Sequence, residues 1–120
     1  GTNTDAVAAV LAGRADANLA GATVAAWAAK QNPQIKLSYE IQTGLVWGLA
    51  FRKDDEEGRN LIDKALECLK IDGSMAMLSE KWFGVVPAAG TTIVTPSKGY
   101  GVPGLEGYVE DDHQPSCELN

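Results

Sequence analysis

Residues that hold metals or activate nucleophiles are scarce in this chain. There are two cysteines, Cys68 and Cys117, and a single histidine, His113, with no Cys-x-x-Cys or comparable ligand spacing among them. A structural zinc site therefore lacks a donor set, and no Ser/His/Asp or Cys/His constellation points to nucleophilic catalysis. His113 stands in an acidic stretch, with no neighbour expected to make it catalytic. Positive charge is short as well, with 10 basic against 16 acidic side chains and a net charge of −6. Residues 101–120 hold Glu106, Glu110, Asp111, Asp112 and Glu118 and no Lys or Arg, so this stretch alone supplies −5 of that charge. Binding to a phosphate backbone needs clustered cations, which argues against nucleic acid as a partner. No apolar run approaches the roughly 18 to 20 residues of a membrane span. Gly1 does not open a charged-then-apolar secretion signal, so a mature or truncated soluble product is expected. With 120 residues, 45% of them hydrophobic, the chain can bury one modest core.

What is present is organised around residues 48–84, GLAFRKDDEEGRNLIDKALECLKIDGSMAMLSEKWFG. After a brief apolar run, Asp54 or Asp55 can accept from the free amides of a helix start, and Glu56 and Glu57 suit the positive end of its dipole. Leu61, Ile62, Ala65, Leu66 and Leu69 share one face at helical spacing, while Asp63, Lys64, Glu67 and Lys70 are expected to face solvent. Gly73 is the expected left-handed stop. A second helix over 74–83, capped by Ser74, is expected to bury Met75, Leu78, Trp82 and Phe83 and to end at Gly84. Earlier in the chain, Asn3 or Thr4 can cap a helix carrying Val7, Val10 and Leu11, with Gly13 closing it. Residues 14–19 read as a short strand. Residues 22–31 read as an Ala-rich helix with Val24, Trp27 and Ala28 inward, stopped by Pro33. Residues 35–41 alternate as a half-buried strand, and residues 45–52 form a second apolar strand after a turn at Thr43 and Gly44. This order predicts an α/β layered fold.

Beyond Gly84 the pattern changes. Residues 91–95 are β-branched enough for a short strand, and 96–120 are Pro-, Gly- and acid-rich without periodicity. Gly99, Gly101 and Gly104 spell Gly-x-Gly-x-x-Gly, but Pro103 removes an amide and no helix follows, so a dinucleotide loop is not expected.

The blocks FRKDD, LKIDGS and LSEKWFG, preceded at a suitable distance by LAGRADANLAG over 11–21, resemble the C-terminal end of the polar-amino-acid class of bacterial extracellular solute-binding proteins. The resemblance covers roughly residues 3–84. It implies a partial periplasmic-binding-protein type II fold. Residues 1–46 would be part of the second α/β lobe, 47–84 the hinge strand and the C-terminal helices that pack on the first lobe, and 85–120 an extended acidic tail. It also implies periplasmic or extracellular localisation, with a small polar solute and an ABC transporter permease as partners. Since neither lobe would be whole, a missing N-terminal segment or a partner chain is expected to complete them.

In family members that bind α-amino acids, an aspartate following the Gly-Arg-x-Asp-Ala strand pairs with the ligand ammonium. Counted from Gly13-Arg14-Ala15-Asp16-Ala17, that position is Gly21 here. Either the ligand lacks an ammonium or another side chain replaces the contact. Gly21, Ala22 and Thr23 would still present amides at a helix start, suited to anionic or polar groups. Some relatives also use the residue entering the preceding helix, which corresponds to Asn3 or Thr4, although both equally suit simple capping. Trp27, Trp47 and Trp82 read as core, with an aromatic clamp as the alternative. Tyr39 and Gln42 lie near the implied hinge.

The even cysteine count takes its meaning from the implied compartment. At about 100° per residue, Cys68 lies about 20° from Leu61, on the edge of the apolar face. In an extracytoplasmic protein a Cys68–Cys117 disulfide is expected; the alternative is two independent thiols.

Three functions follow. The first is the substrate-binding component of an importer, which is not an enzyme and needs no cofactor or metal. The second is a ligand-blind receptor-like fragment or protein-interaction module. The third is a dehydratase-type enzyme on the same fold, for which Gly21 leaves no carboxylate at the expected place.

Overall fold

A computed structural model describes residues 1–45 and 47–118. Four helices form: α1 (Asn3–Leu11), α2 (Ala22–Gln31), α3 (Glu56–Ile71) and α4 (Ser74–Phe83). The chain divides into two compact units, one of Gly1–Leu45 with Glu80–Val85, the other of the described residues in Val46–Ser79 and Val86–Asn120. Residues 74–79 of α4 thus belong to the second unit and residues 80–83 to the first.

In the first unit, α1 starts one residue earlier than expected. Thr2 is the cap. Its hydroxyl accepts from the Asp5 amide at 3.3 Å while the Asp5 carboxylate accepts from the Thr2 amide at 2.7 Å, a reciprocal capping box. These bonds hold the Asp5 carboxyl below its ordinary pKa, the Thr2 amide contributing most. Asn3 and Thr4 therefore occupy the first helical turn instead of capping it. At the other end Gly13 donates to the Val10 carbonyl and Arg14 to the Ala9 carbonyl, with Gly13 at φ 67°, which is the Schellman closure. Helix α2 spans the expected residues and ends at Asn32 before Pro33. Its buried residue is Ala26, whereas Trp27 remains exposed and pairs with Trp82 at 5.9 Å between ring centroids. The ammonium of Lys30 donates to the carbonyls of Glu80 and Lys81, the negative end of the α4 dipole.

In the second unit Asp55 caps α3, accepting from the Gly58 amide at 3.0 Å. Replacing Asp55 with Ala leaves that amide without an acceptor, and we expect a loss of about 1 kcal/mol, read as a lower urea midpoint with an unchanged slope. An unchanged midpoint would show that water serves the α3 start equally well. Asp72 closes α3, and Gly73 turns at φ 84°. The Asp72 carboxylate, rather than Ser74, serves the next helix start. It accepts from the Ser74 amide at 2.8 Å, and hydrogen bonds from Ser74 keep its carboxyl below the ordinary range.

The segments expected as strands, 14–19, 35–41 and 91–95, have no ladder partner among the described residues, and Val46 of the 45–52 segment lies outside them. A strand is stabilised through neighbours that share its hydrogen bonds. Residues 91–95 instead close a turn in which the amides of Val94 and Thr95 donate to the Thr91 carbonyl. Among the described residues the sole bridge joins Tyr100 and Val109, antiparallel.

Helix α3 departs from expectation at both faces, although Ala65 and Leu66 of the apolar face are half-buried. Glu67, read as facing solvent, is 4% exposed, while Leu61 is 48%, Ile62 41% and Leu69 36% exposed. The reason lies in what covers the helix. Arg59, Asp63 and Glu67 recur at i, i+4 and i+8, a charged stripe along one face. Residues 96–118 run over that stripe and supply polar groups to it. Arg59 Nη1 donates to the Gly107 carbonyl at 2.8 Å, and the Gly101 amide donates to Asp63 Oδ2 at 2.5 Å. The expected disulfide between Cys68 and Cys117 is present, with the two Cα atoms 4.7 Å apart and a sequence separation of 49.

Candidate functional site

Two groups of residues offer polar chemistry, one in each unit. In the first unit the side-chain amide of Asn18 donates to Asn3 Oδ1 at 3.0 Å, which ties the opening turn of α1 to the segment leading into α2. Gly21 is the N-cap of α2 and, having no side chain, satisfies none of the first-turn amides; Ala22 and Thr23 follow it and all three are exposed. The start of α2 is therefore a set of uncapped donors at the positive end of a helix, open to an anion or a carbonyl. Asn3 and Thr4 are exposed on the same unit, freed by Thr2 from capping. Trp47, expected as core, is 88% exposed.

The second group was not foreseen. His113, expected to lack a partner, lies between two carboxylates. Its Nε2 stands 3.2 and 3.0 Å from the Glu67 oxygens and its Nδ1 2.7 Å from Asp111 Oδ1. The ring also stacks on Tyr100, with centroids 4.7 Å apart and 19° between planes. Asp111 Oδ1 additionally accepts from the His113 backbone amide at 2.8 Å, a local turn that fixes the ring beside the carboxylate. Hydrogen bonding to Glu67 raises the His113 pKa above its ordinary value against the opposing effect of burial, and Asp111 adds to the rise. The Asp111 carboxyl is correspondingly lowered, first by the His113 amide and then by the ring.

An imidazole with a carboxylate at each nitrogen is best satisfied as the doubly donating cation. In that cation no ring lone pair remains to take a proton from a nucleophile, so the charged form acts as a clamp rather than a base. Two shallow clefts of about 230 and 370 Å³ flank the ring, the first lined in part by Lys64, Glu67 and Glu118, the second by Lys98, Asp111 and Asp112. Among the described residues no three His, Cys, Asp or Glu side chains gather with the geometry of a metal site. One sequence signal pointed toward the clamp. Glu67 adjoins Cys68 and His113 lies four residues before Cys117, so the cysteine pairing brings the two within reach.

Compared with known proteins, no family model matches the chain, and neither a curated protein nor a solved structure matches it.

Proposed function

We propose that this chain is part of the substrate-binding component of an ABC importer. On this reading it belongs to the C-terminal half of an extracellular solute-binding protein and captures a small polar solute for delivery to a membrane permease. The observation that carries the reading is the Asn18–Asn3 bond, which draws the start of α1 toward the uncapped start of α2. The residues expected to touch ligand, Asn3, Thr4, Gly21, Ala22 and Thr23, are exposed and belong to one unit. The sequence blocks around Gly13-Arg14, Phe51-Arg52 and Trp82-Phe83 support the same assignment by resemblance. Amides without a carboxylate at position 21 suit a carboxylate or carbonyl of the solute better than its ammonium. The Cys68–Cys117 bridge is consistent with an oxidising, extracytoplasmic compartment. The partial type II fold, in which a missing segment or partner chain completes both lobes, agrees with the exposure of Leu61, Ile62 and Leu69.

The same exposed face favours a second reading, a ligand-blind module that binds another protein. Native mass spectrometry without reductant, followed by thermal denaturation against a panel of polar solutes, separates the two. A receptor is expected to travel with a second polypeptide and to gain stability with rising solute, by about 2.7 kcal/mol at a hundredfold excess over Kd. A chain that is alone, folded and blind to every solute would move the interaction module to first place.

A further inference from the structure

Solute capture does not require a histidine clamp on α3, so the clamp calls for its own account. Glu67 is a nearly fully buried carboxylate, and a buried charge is tolerated only where a partner satisfies it. His113 is the partner, and it sits on the covering segment rather than on the helix. The charged and titratable groups around the ring are Glu67 and Lys64 from α3, together with Asp111, Asp112, Lys98, Glu118 and the Tyr100 phenol from the segment. As imidazolium, His113 donates to both carboxylates; as neutral imidazole it has one N–H and turns a lone pair toward the other. Asp111, whose side chain is half-exposed, can turn to water, but Glu67 cannot.

We propose that His113 is a proton-operated latch: its charged form fastens residues 96–118 to the polar face of α3, and its neutral form lets that segment lift while the Cys68–Cys117 disulfide keeps it tethered. The tether and the latch are adjacent at both ends, Glu67 beside Cys68 and His113 four residues from Cys117. The direction of the response follows from the raised His113 pKa. A group whose folded pKa lies above its unfolded value, about 6.5 for histidine, stabilises the fold in full below that value. The contribution is lost as pH rises through the higher folded value. The latch is shut in mildly acidic solution and opens as pH climbs past the ordinary histidine range.

His113 is the chain's one histidine, so its ring resonances can be followed by NMR without assignment ambiguity. The experiment titrates the oxidised chain while measuring exchange protection, corrected for intrinsic rates, at the Gly101 amide, which donates across to Asp63 of α3. We expect the ring to titrate above about 6.5, and protection to fall by about tenfold or more through the same midpoint. Glu67→Gln should return the midpoint toward the ordinary value, and His113→Gln should remove the step. With reductant present, raising the pH should release the segment fully, whereas reduction below the midpoint should leave it protected. A wild-type ring that titrates at or below its ordinary value, or protection that stays flat through the midpoint, would overturn the latch without reference to any variant.

Discussion

Replacing Cys68 and Cys117 together with serine lowers the stability of the chain by about 4 kcal/mol, the chain-entropy value for a closed loop of about fifty residues. The bridge joins positions 49 residues apart and closes the path from α3 to the covering segment. Without it, the segment depends on a few polar contacts: Arg59 with Gly107, Asp63 with Gly101, and Glu67 with His113. A neutral hydrogen bond contributes about 1 kcal/mol net, and one to a charged group about 1.5 to 3. Each alone is weaker than the tether. The apolar share of the segment is small, Tyr100 being its one buried apolar side chain among the described residues. Since a domain is stable by only about 5 to 15 kcal/mol in all, such a loss is large. Denaturant midpoints of the oxidised chain, the reduced chain and the double-serine variant make the comparison, and the last two should coincide. The double variant is preferable to either single one, which leaves a free thiol open to intermolecular exchange. A drop below about 1 kcal/mol would mean that the polar contacts hold the segment nearly unaided.

What the sequence made legible and what it did not divides by the range of the interactions. The ends of α2 and α4 and the stops at Gly13 and Gly73 follow from residues within one turn of each boundary, and all four appear where expected. The caps moved by one or two positions, Thr2 in place of Asn3 and Asp72 in place of Ser74: the Thr2 hydroxyl takes the Asp5 amide, and the Asp72 carboxylate takes the amide of Ser74 itself. The inward face of α3 was misread for a different reason. Periodicity shows that Leu61, Ile62 and Leu69 lie together, but burial depends on which segment returns to cover the helix. Here the returning residues are polar and meet Arg59, Asp63 and Glu67. His113 and Glu67 are 46 positions apart, a separation at which no local rule operates. The cysteine pair was the one long-range signal that could be read, and it runs alongside the clamp. The expected strands share this limit, since their partners are not specified by their own alternation. For the ligand residues the sequence supplied positions by resemblance, while the link between Asn3 and Asn18 could be seen only in the fold.

Gly99→Ala is expected to open the turn that seats the clamp, at a cost of about 3 kcal/mol or more. Gly99 has φ 72°, where a side chain costs about 1 to 2 kcal/mol through contact with the following carbonyl. The larger effect is steric. An added Cβ would lie 2.3 Å from the Val109 carbonyl oxygen, 3.0 Å from the Asp111 amide and 3.2 Å from Glu110 Cα, all backbone atoms. No side-chain rotation relieves that overlap, so the paired backbones must part. The Tyr100–Val109 bridge is then lost, and with it the position of Asp111 and the ring it holds. Gly104 supplies the comparison, because it has φ 87° but open space around the would-be Cβ. Gly104→Ala should therefore lose only the conformational part, about 1 kcal/mol, and keep the bridge. The apparent Gly-x-Gly-x-x-Gly pattern thus combines one glycine required by a close backbone approach with another required only by its dihedral. Global unfolding understates the Gly99 effect once the segment opens locally, so the decisive reading is amide protection at Tyr100 and Val109. Protection should vanish in Gly99→Ala and survive in Gly104→Ala, with the His113 midpoint falling only in the former. Equal behaviour of the two variants would remove the steric argument and leave backbone dihedral preference as the whole effect.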